Sequence, residues 1–343
     1  MPPLLKTRRP GSKVQAADVS LEAAPAADDS RSGRLAVVDL ARGVAIGAMV
    51  VYHTAYDLSA NRLIPDDVVD VVRWRIFARM IAGTFLLLVG IGLVLATRKG
   101  LNGKAYLRRL GLIVGGAALV SLGTWWFDAP TFVFFGILHE IAVASVLALP
   151  FLWLPAWLTA VAAAAVIAAP WFFANPFFDT PALWWVGLST VPPVTVDYVP
   201  VLPWFGMVLA GIVVGRLLIL YGGPLWRWHP DNRAARWIMT AGRWSLPIYL
   251  VHQPLIVGLV SLAAMIVPPN RAVVEGNWTA ECRAACTKDG RTGEACTAAC
   301  TCMFEALYGT DLFSLRTLEA MNGEQSQRWN VIVDRCLPAT PLD

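Results

Sequence analysis

The chain has 343 residues, of which 57% are hydrophobic and 15% are charged, and its mean hydropathy is +0.56. This composition lies far from that of soluble globular proteins and predicts a polytopic membrane protein with lipids as partners. The net charge of +4 is small, and no basic run interleaved with aromatic residues indicates a nucleic-acid partner.

The predicted elements are a tail, a bundle and an extension. Residues 1–33 are rich in Pro, Ala, Ser and charge, which predicts a disordered cytoplasmic tail. Residues 34–268 contain apolar runs near the length of about 20 residues that crosses a bilayer, so we expect an all-α bundle of about seven transmembrane helices. Residues 269–343 form a small cysteine-rich extension. The spans lie near Leu35–Asp57, Ile76–Thr97, Leu110–Phe127, Phe132–Leu149, Leu154–Phe173, Val199–Leu220 and Leu246–Val267.

The first span has a pair of opposite charges and a pair of glycines. Asp39 and Arg42 are three residues apart and share a helix face, so they can neutralise one another near one boundary of the membrane. Gly43 and Gly47 form a small-x-x-x-small step that lets another helix approach closely. This step could serve packing within the bundle or between two copies of the chain, so self-association stays an alternative.

Further along the first span, His53 is followed four residues later by Asp57 on the same face. An ionisable residue in a span costs on the order of 3 kcal/mol, so each needs a partner, a water-filled cavity or a function. A neutral imidazole can take a proton near pH 7, and a carboxylate on its second nitrogen fixes the tautomer. We therefore take His53 and Asp57 as catalytic candidates; the alternative is a hydrogen-bonded structural histidine.

The fourth span places His139 beside Glu140 at a comparable depth. In the sixth span, Pro200 and Pro203 remove backbone donors and predict an interrupted helix start. Irregular backbone at membrane depth is tolerated where it lines a cavity or is buried in protein. Asp197 and Trp204 are therefore candidates for a substrate vestibule; the alternative is a helix start with an aromatic anchor at the membrane interface.

The seventh span carries His252 and Gln253. Lipid would reject these groups, so three histidines within spans predict that helices one, four and seven turn polar faces toward a common cavity. The fourth histidine, His229, falls in a basic loop and is expected to be solvated.

The extension contains all six cysteines, in the segment ECRAACTKDGRTGEACTAACTC and at position 336. Each C-x-x-x-C pair lies on one helix face, and KDGRTG predicts a turn between two antiparallel helices. A thiolate metal site is the alternative, but the spacings are not those of structural zinc, so we expect disulfides and no metal. The predicted pairs, one choice among 15, are Cys282–Cys300, Cys286–Cys296 and Cys302–Cys336.

Two patterns predict the orientation. Basic residues cluster before the first span, between the second and third and between the sixth and seventh, which places the N-terminus in the cytoplasm. Disulfides persist in oxidising compartments, which agrees with a periplasmic C-terminus. The alanine- and arginine-rich composition is typical of bacteria, so we expect the bacterial inner membrane.

Five segments between Leu35 and Val267 carry a family resemblance: DLARGVAIGAMVVYHTAYDL, ARMIAGTFLLLVGIGL, FGILHEIA, DYVPVLPWFGMVLAGI and GRWSLPIYLVHQPL. In this order they resemble the bacterial branch of the heparan-alpha-glucosaminide N-acetyltransferase catalytic domain family. The resemblance implies an acyltransferase that takes acetyl-CoA from the cytoplasm and acylates a sugar amine or hydroxyl of an envelope glycan on the other face.

The resemblance also implies roles for individual residues. His53 matches the histidine of the first block and would be the general base or a transient acetyl carrier, with Asp57 orienting it. Asp39 and Arg42 match the opening D-x-x-R-G and would shape the mouth where acetyl-CoA enters. The positions expected to line the cavity are Arg79, His139, Asp197, Trp204, His252 and Gln253.

Two other functions stay open at this point. Buried charges and broken helices also suit a transporter or an export partner without chemistry, although no inverted repeat is evident. Histidines on different spans could instead ligate haem, although they lack the stacked arrangement of two-haem bundles.

Overall fold

The computed structural model describes residues 35–65, 68–228, 230–288, 291–314 and 321–337. Within these ranges the chain is helical and contains no β-strand, which confirms the predicted all-α class. The predicted disordered tail at 1–33 and His229 lie outside the described residues. In chain order the bundle comprises α1 (Ala36–Ala60), α2 (Val72–Thr97), α3 (Gly103–Phe127), α4 (Ile137–Leu147), α5 (Ala156–Phe173), α6 (Val201–Tyr221), α7 (Gly223–Arg227), α8 (Arg233–Arg243) and α9 (Ser245–Ile266).

Six of these helices, namely α1, α2, α3, α5, α6 and α9, are long and apolar enough to cross a membrane. The chain is therefore a multi-pass membrane protein. The fourth predicted span differs, because α4 has only 11 residues. At 1.5 Å per residue it is about 17 Å long, well short of the roughly 30 Å hydrocarbon core.

Extended backbone and a polar cap replace the missing helical turns before α4. The Val199 amide donates to the Phe135 carbonyl at 3.1 Å, and the Ile137 amide donates to the Asp197 carboxylate at 2.9 Å. Gly136 then begins the helix as its N-cap. The prediction of one continuous helix over Phe132–Leu149 is wrong here because the segment before α6 supplies the hydrogen bonds that helical turns would have made.

The other end of α4 is held by a single arginine. Pro150 begins a short 3-10 turn that ends the helical run. Arg216 of α6 donates to the carbonyls of Leu154, Phe151 and Leu152 at 2.6, 2.8 and 2.9 Å. Residues of α6 and of the segment before it thus satisfy carbonyls on both sides of α4, namely those of Phe135, Phe151, Leu152 and Leu154.

Glycines set the closest helix contacts of the bundle. A Cβ at Gly90 of α2 would collide with the Val208 carbonyl, and one at Gly211 of α6 would collide with the Leu87 carbonyl. These two helices therefore pack backbone to backbone beside the fully buried Ile212. The first turn of α6 is interrupted, as the prolines predict, since Leu202 has extended φ/ψ of −99° and 125°.

The loop between α5 and α6 is organised around one carboxylate. Asp179 accepts hydrogen bonds from the hydroxyls of Ser189 and Thr190 and from the amides of Thr190 and Val191. Above all the Thr190 hydroxyl, and then that of Ser189, lower the pKa of Asp179 from its ordinary 3.8 to about 2. The Asp179 carboxylate therefore stays ionised and holds the loop at any physiological pH.

The extension contains α10 (Arg271–Lys288), α11 (Gly293–Leu307) and α12 (Gly323–Cys336). All three predicted disulfides are present, in the predicted pairing, with Cα–Cα distances of 5.5 to 5.8 Å. Trp278, Phe304 and Phe313 form an apolar cluster beneath them. The extension follows α9 directly, and the Asn270 amide donates to the Arg62 carbonyl just after α1 at 2.8 Å.

Candidate active site

Two of the three predicted histidines meet where α1 packs against α9. The ring centroids of His53 and His252 are 5.0 Å apart, with the ring planes at 65° in an edge contact. Tyr52 on α1 and Tyr249 on α9 flank the pair at 5.4 and 5.6 Å from the histidine beside each. The structure thus brings the first and seventh predicted spans together through aromatic polar groups.

The hydrogen bonds of His252 determine its tautomer. Its Nδ1 lies 2.6 Å from the backbone carbonyl of Tyr249. A carbonyl oxygen only accepts, so Nδ1 carries the proton and the neutral ring keeps its lone pair on Nε2. That Nε2 is buried and has no hydrogen-bond partner among the described residues, and the same holds for Nδ1 of His53.

Asp57 pairs with a different residue from the one predicted. Gln253 donates its amide to both Asp57 carboxylate oxygens at 3.2 and 3.3 Å. In the described part of the chain no hydrogen bond joins Asp57 to His53, whose Nδ1 is left without a partner. The reason is that α9 presents Gln253 next to His252, so Asp57 bonds across to α9 while His53 faces the neighbouring imidazole. The predicted role of Asp57 in orienting His53 is not supported by this geometry.

His139 has a structural environment. The Gly136 amide donates to its Nδ1 at 3.2 Å, so the proton sits on Nε2, which lies 3.1 Å from the Ser121 hydroxyl. The side chain thereby caps the start of α4 and links it to α3. Its neighbour Glu140 is fully buried, and neither of its carboxylate oxygens has a partner among the residues described.

The remaining predicted lining residues differ in position. Asp197 caps α4 by accepting from the Ile137 amide, and its carboxylate lies against Gly136, where a Cβ would collide with it. Trp204 is part-buried beside Gly83 of α2, and Arg79 has an exposed side chain on α2.

A second polar cluster lies toward the start of α1. Asp39 is buried and pairs with Arg243 of α8 at 3.1 Å and with Arg42 at 3.7 Å. The guanidinium groups of Arg42 and of Arg109 on α3 both lie against Gly92 of α2, where a Cβ would be 3.0 and 3.9 Å from them. Among the described residues this cluster combines three guanidinium groups with the one carboxylate of Asp39.

Sequence reasoning missed Arg109, Arg243 and Tyr249 as site residues. Both arginines fall in the basic clusters that were used for the orientation, and their distance in sequence from Asp39 hides the contact. Tyr249 contributes through its backbone carbonyl, which no residue type could have indicated. The only signal for Tyr249 is its position three residues before His252, one helical turn away.

Comparison with known proteins gives one match. The family model described as heparan-alpha-glucosaminide N-acetyltransferase, catalytic, matches residues 34–254. No curated protein and no solved structure matches the chain. The matched residues include both polar clusters and end just after Gln253, so the disulfide-bonded extension lies outside them. Because the match covers well over half of the 343 residues, the chain belongs to the heparan-alpha-glucosaminide N-acetyltransferase catalytic family.

Proposed function

We propose that this protein transfers an acetyl group from acetyl-CoA on the cytoplasmic side to a sugar amine or hydroxyl of an envelope glycan on the other side. Family membership supports an acetyltransferase of the membrane type. The observation that carries the proposal is the histidine pair, because His53 and His252 each hold a buried ring nitrogen that has no hydrogen-bond partner among the residues the structure describes. An unsatisfied buried polar atom costs about 1–3 kcal/mol, which a ligand could offset.

The arginine cluster supports the donor assignment. Guanidinium groups bind phosphate through charge-assisted hydrogen bonds, and CoA carries several phosphates. Arg109 forms no ion pair with a carboxylate in the described ranges, and Gly92, which has no Cβ, lets the guanidinium groups of Arg42 and Arg109 lie together against α2. This cluster would therefore be the mouth at which the nucleotide part of acetyl-CoA enters.

The proposed orientation follows from the two clusters. The arginine cluster lies near the start of α1, whereas the histidine pair and Asp57 lie toward its end. Along α1 Asp39 and His53 are 14 residues apart in the sequence, or about 21 Å. Acetyl-CoA is an elongated molecule, so its phosphates can rest at the arginines while its thioester reaches toward the histidines. We propose that the protein lies in a bacterial inner membrane and that its N-terminus is in the cytoplasm.

The test measures release of free CoA from acetyl-CoA by purified protein in detergent, with a mixed pool of envelope sugars as acceptors. We compare the wild type with His53→Ala and with Thr54→Ala as matched control, because the hydroxyl of Thr54 bonds, within the described ranges, only to the Val50 carbonyl of its own helix. We expect CoA release to fall in His53→Ala, because this change removes one of the two facing imidazoles of the site, and to stay at the wild-type level in Thr54→Ala.

Two results would change this proposal. Equal CoA release by the wild type and His53→Ala would keep the enzyme class but assign the chemistry to another group. If the wild type releases no CoA and does not bind acetyl-CoA, the donor assignment is wrong. Transport without chemistry then becomes the better interpretation of the buried charges.

A further inference from the structure

We propose that His252 is the general base of the transfer, and that the backbone carbonyl of Tyr249 is the group that positions it. This inference rests on the proposed function and assigns one residue within it. It starts from a difference between the two facing imidazoles, since within the described ranges only His252 has a ring nitrogen that is hydrogen-bonded to the protein.

The contact with Tyr249 prepares His252 for proton transfer. At 2.6 Å the Nδ1–H group donates to the carbonyl, which fixes the ring plane and leaves the lone pair on Nε2. Catalytic histidines are commonly oriented in this way by an acceptor on the second nitrogen. His53 lacks such an acceptor, because its Nδ1 is buried without a partner among the described residues.

Gln253, the residue after His252 on α9, also carries an acceptor that a ligand with a donor hydrogen can satisfy. The Gln253 amide donates to Asp57, which directs its Oε1 away from that carboxylate, and this Oε1 is a second buried acceptor with no partner in the described part of the chain. Two adjacent residues of α9 thus each hold an unused acceptor. An acceptor hydroxyl or amine would supply the hydrogens that these atoms lack.

The step balances without a further reactant. The proton of the acceptor O–H or N–H moves to Nε2 of His252 as the oxygen or nitrogen bonds the acetyl carbonyl carbon. The carbon–sulfur bond then breaks, and the CoA thiolate leaves. The imidazolium returns its proton to the thiolate, so the products are the acetylated sugar and free CoA.

Several titratable groups face His252 and could share its acid–base behaviour. They are His53 on α1 and Tyr249 on α9, whose rings contact it, and Asp57 on α1, which bonds to the adjacent Gln253. A pH profile alone would therefore not identify the base. The test needs the same profile in two histidine variants and one measurement that does not depend on turnover.

The kinetic arm compares the pH dependence of kcat/KM for acetyl transfer in the wild type, His252→Gln and His53→Gln. We expect His252→Gln to lower kcat/KM by about 10²–10⁴-fold and to abolish the loss of rate at acid pH that protonation of the base causes. Added imidazole should restore part of the rate to His252→Ala, which a purely structural role would not allow. If the fall of kcat/KM at acid pH persists in His252→Gln and disappears in His53→Gln, the assignment is overturned.

The spectroscopic arm records the ¹⁵N signals of the histidines in labelled wild-type protein in detergent, with His252→Gln used to assign those of His252. We expect His252 to carry its proton on Nδ1, whereas His139 is the internal control because its proton sits on Nε2. A His252 that carries its proton on Nε2, as His139 does, would overturn the inference. This result does not depend on acetyl transfer, so failure of the proposed function and failure of the base assignment are distinguishable.

Discussion

At the scale of single residues, Glu140 is the group most at odds with its surroundings. Its side chain is fully buried in α4 next to an apolar core, and in the described ranges neither carboxylate oxygen has a hydrogen-bond partner. His139 beside it has both ring nitrogens bonded and stabilises the start of the same helix. His139 therefore stabilises α4, whereas the buried carboxyl group of Glu140 destabilises it.

We predict that Glu140→Leu stabilises the protein. It removes two unsatisfied oxygens whose burial costs about 1–3 kcal/mol, and leucine has a similar volume. Glu140→Gln is the matched control, because it keeps the shape and polarity and should leave the melting temperature in detergent nearly unchanged. A lower melting temperature for Glu140→Leu would mean that an unseen partner, such as a bound water or ligand, satisfies the carboxyl group. Higher stability with lost activity would instead assign Glu140 a function, because strain is kept where function needs it.

The site residues show how far sequence reasoning reaches at this scale. Depth along a helix follows from the rise per residue, so the position of His53 near the end of α1 was predictable. The helical period likewise predicted the shared face of Asp39 and Arg42. The partner of Asp57 was not, because it depends on the rotation of α9 about its axis. A spacing of four residues permits a contact within one helix, and a better-placed donor on a neighbouring helix displaced it.

At the scale of elements, the contact between α1 and α8 depends on glycine. A Cβ at Gly43 would collide with the Ile238 carbonyl, and a Cβ at Gly242 would collide with the carbonyl of Asp39. The predicted Gly43–Gly47 step is thus only partly used within the chain, since Gly47 has open space at its Cβ position. Helix α8 also carries Arg243, so this close approach brings the guanidinium to Asp39.

We predict that Gly43→Ala lowers the melting temperature and Gly47→Ala does not. The extra methyl at Gly43 must move α8, and such overpacking costs about 1–3 kcal/mol. At Gly47 alanine meets no neighbour and has the higher helix propensity, by up to about 1 kcal/mol. Scanning fluorimetry of both variants in one detergent provides the comparison. Equal destabilisation would indicate that Gly47 also packs closely, against a second copy of the chain, and the size of the purified particle would then decrease in that variant.

The elements also differ in how well the sequence predicts them. Long apolar runs identify α1, α2, α3, α5, α6 and α9 because hydrocarbon thickness dictates their length. The hydropathy of the fourth span looks the same, yet the chain there is helical only over Ile137–Leu147. Its broken backbone depends on Asp197 and Arg216, two side chains distant in sequence that supply hydrogen bonds at its two ends.

At the scale of the whole molecule, the part of the chain that matches the family and the part that carries the disulfide bonds do not overlap. The matched part ends at residue 254, whereas all three disulfides lie within Cys282–Cys336. The pairing was predictable because i, i+4 cysteines on two antiparallel helices oppose one another in a fixed order. The contact of the extension with the end of α1 was not predictable from the sequence, because it depends on a backbone hydrogen bond between Asn270 and Arg62.

The two parts of the molecule should therefore respond differently to loss of a disulfide. Cys302–Cys336 spans 34 residues and Cys286–Cys296 spans 10, so loop entropy gives stabilisation of about 4 and about 3 kcal/mol. We predict that replacing Cys302 and Cys336 with serine exposes the extension to trypsin more than the same change at Cys286 and Cys296.

The bundle should keep its melting temperature and any acetyl transfer in both double variants, because every residue of its three apolar clusters precedes the extension. The measurement is limited proteolysis with mass spectrometry, followed by fluorimetry of the surviving bundle. Joint loss of the extension and of bundle stability would contradict this division, because it would mean that the extension stabilises the end of α1. Since Asp57 lies one turn before that end, the histidine pair would then depend on the disulfides as well.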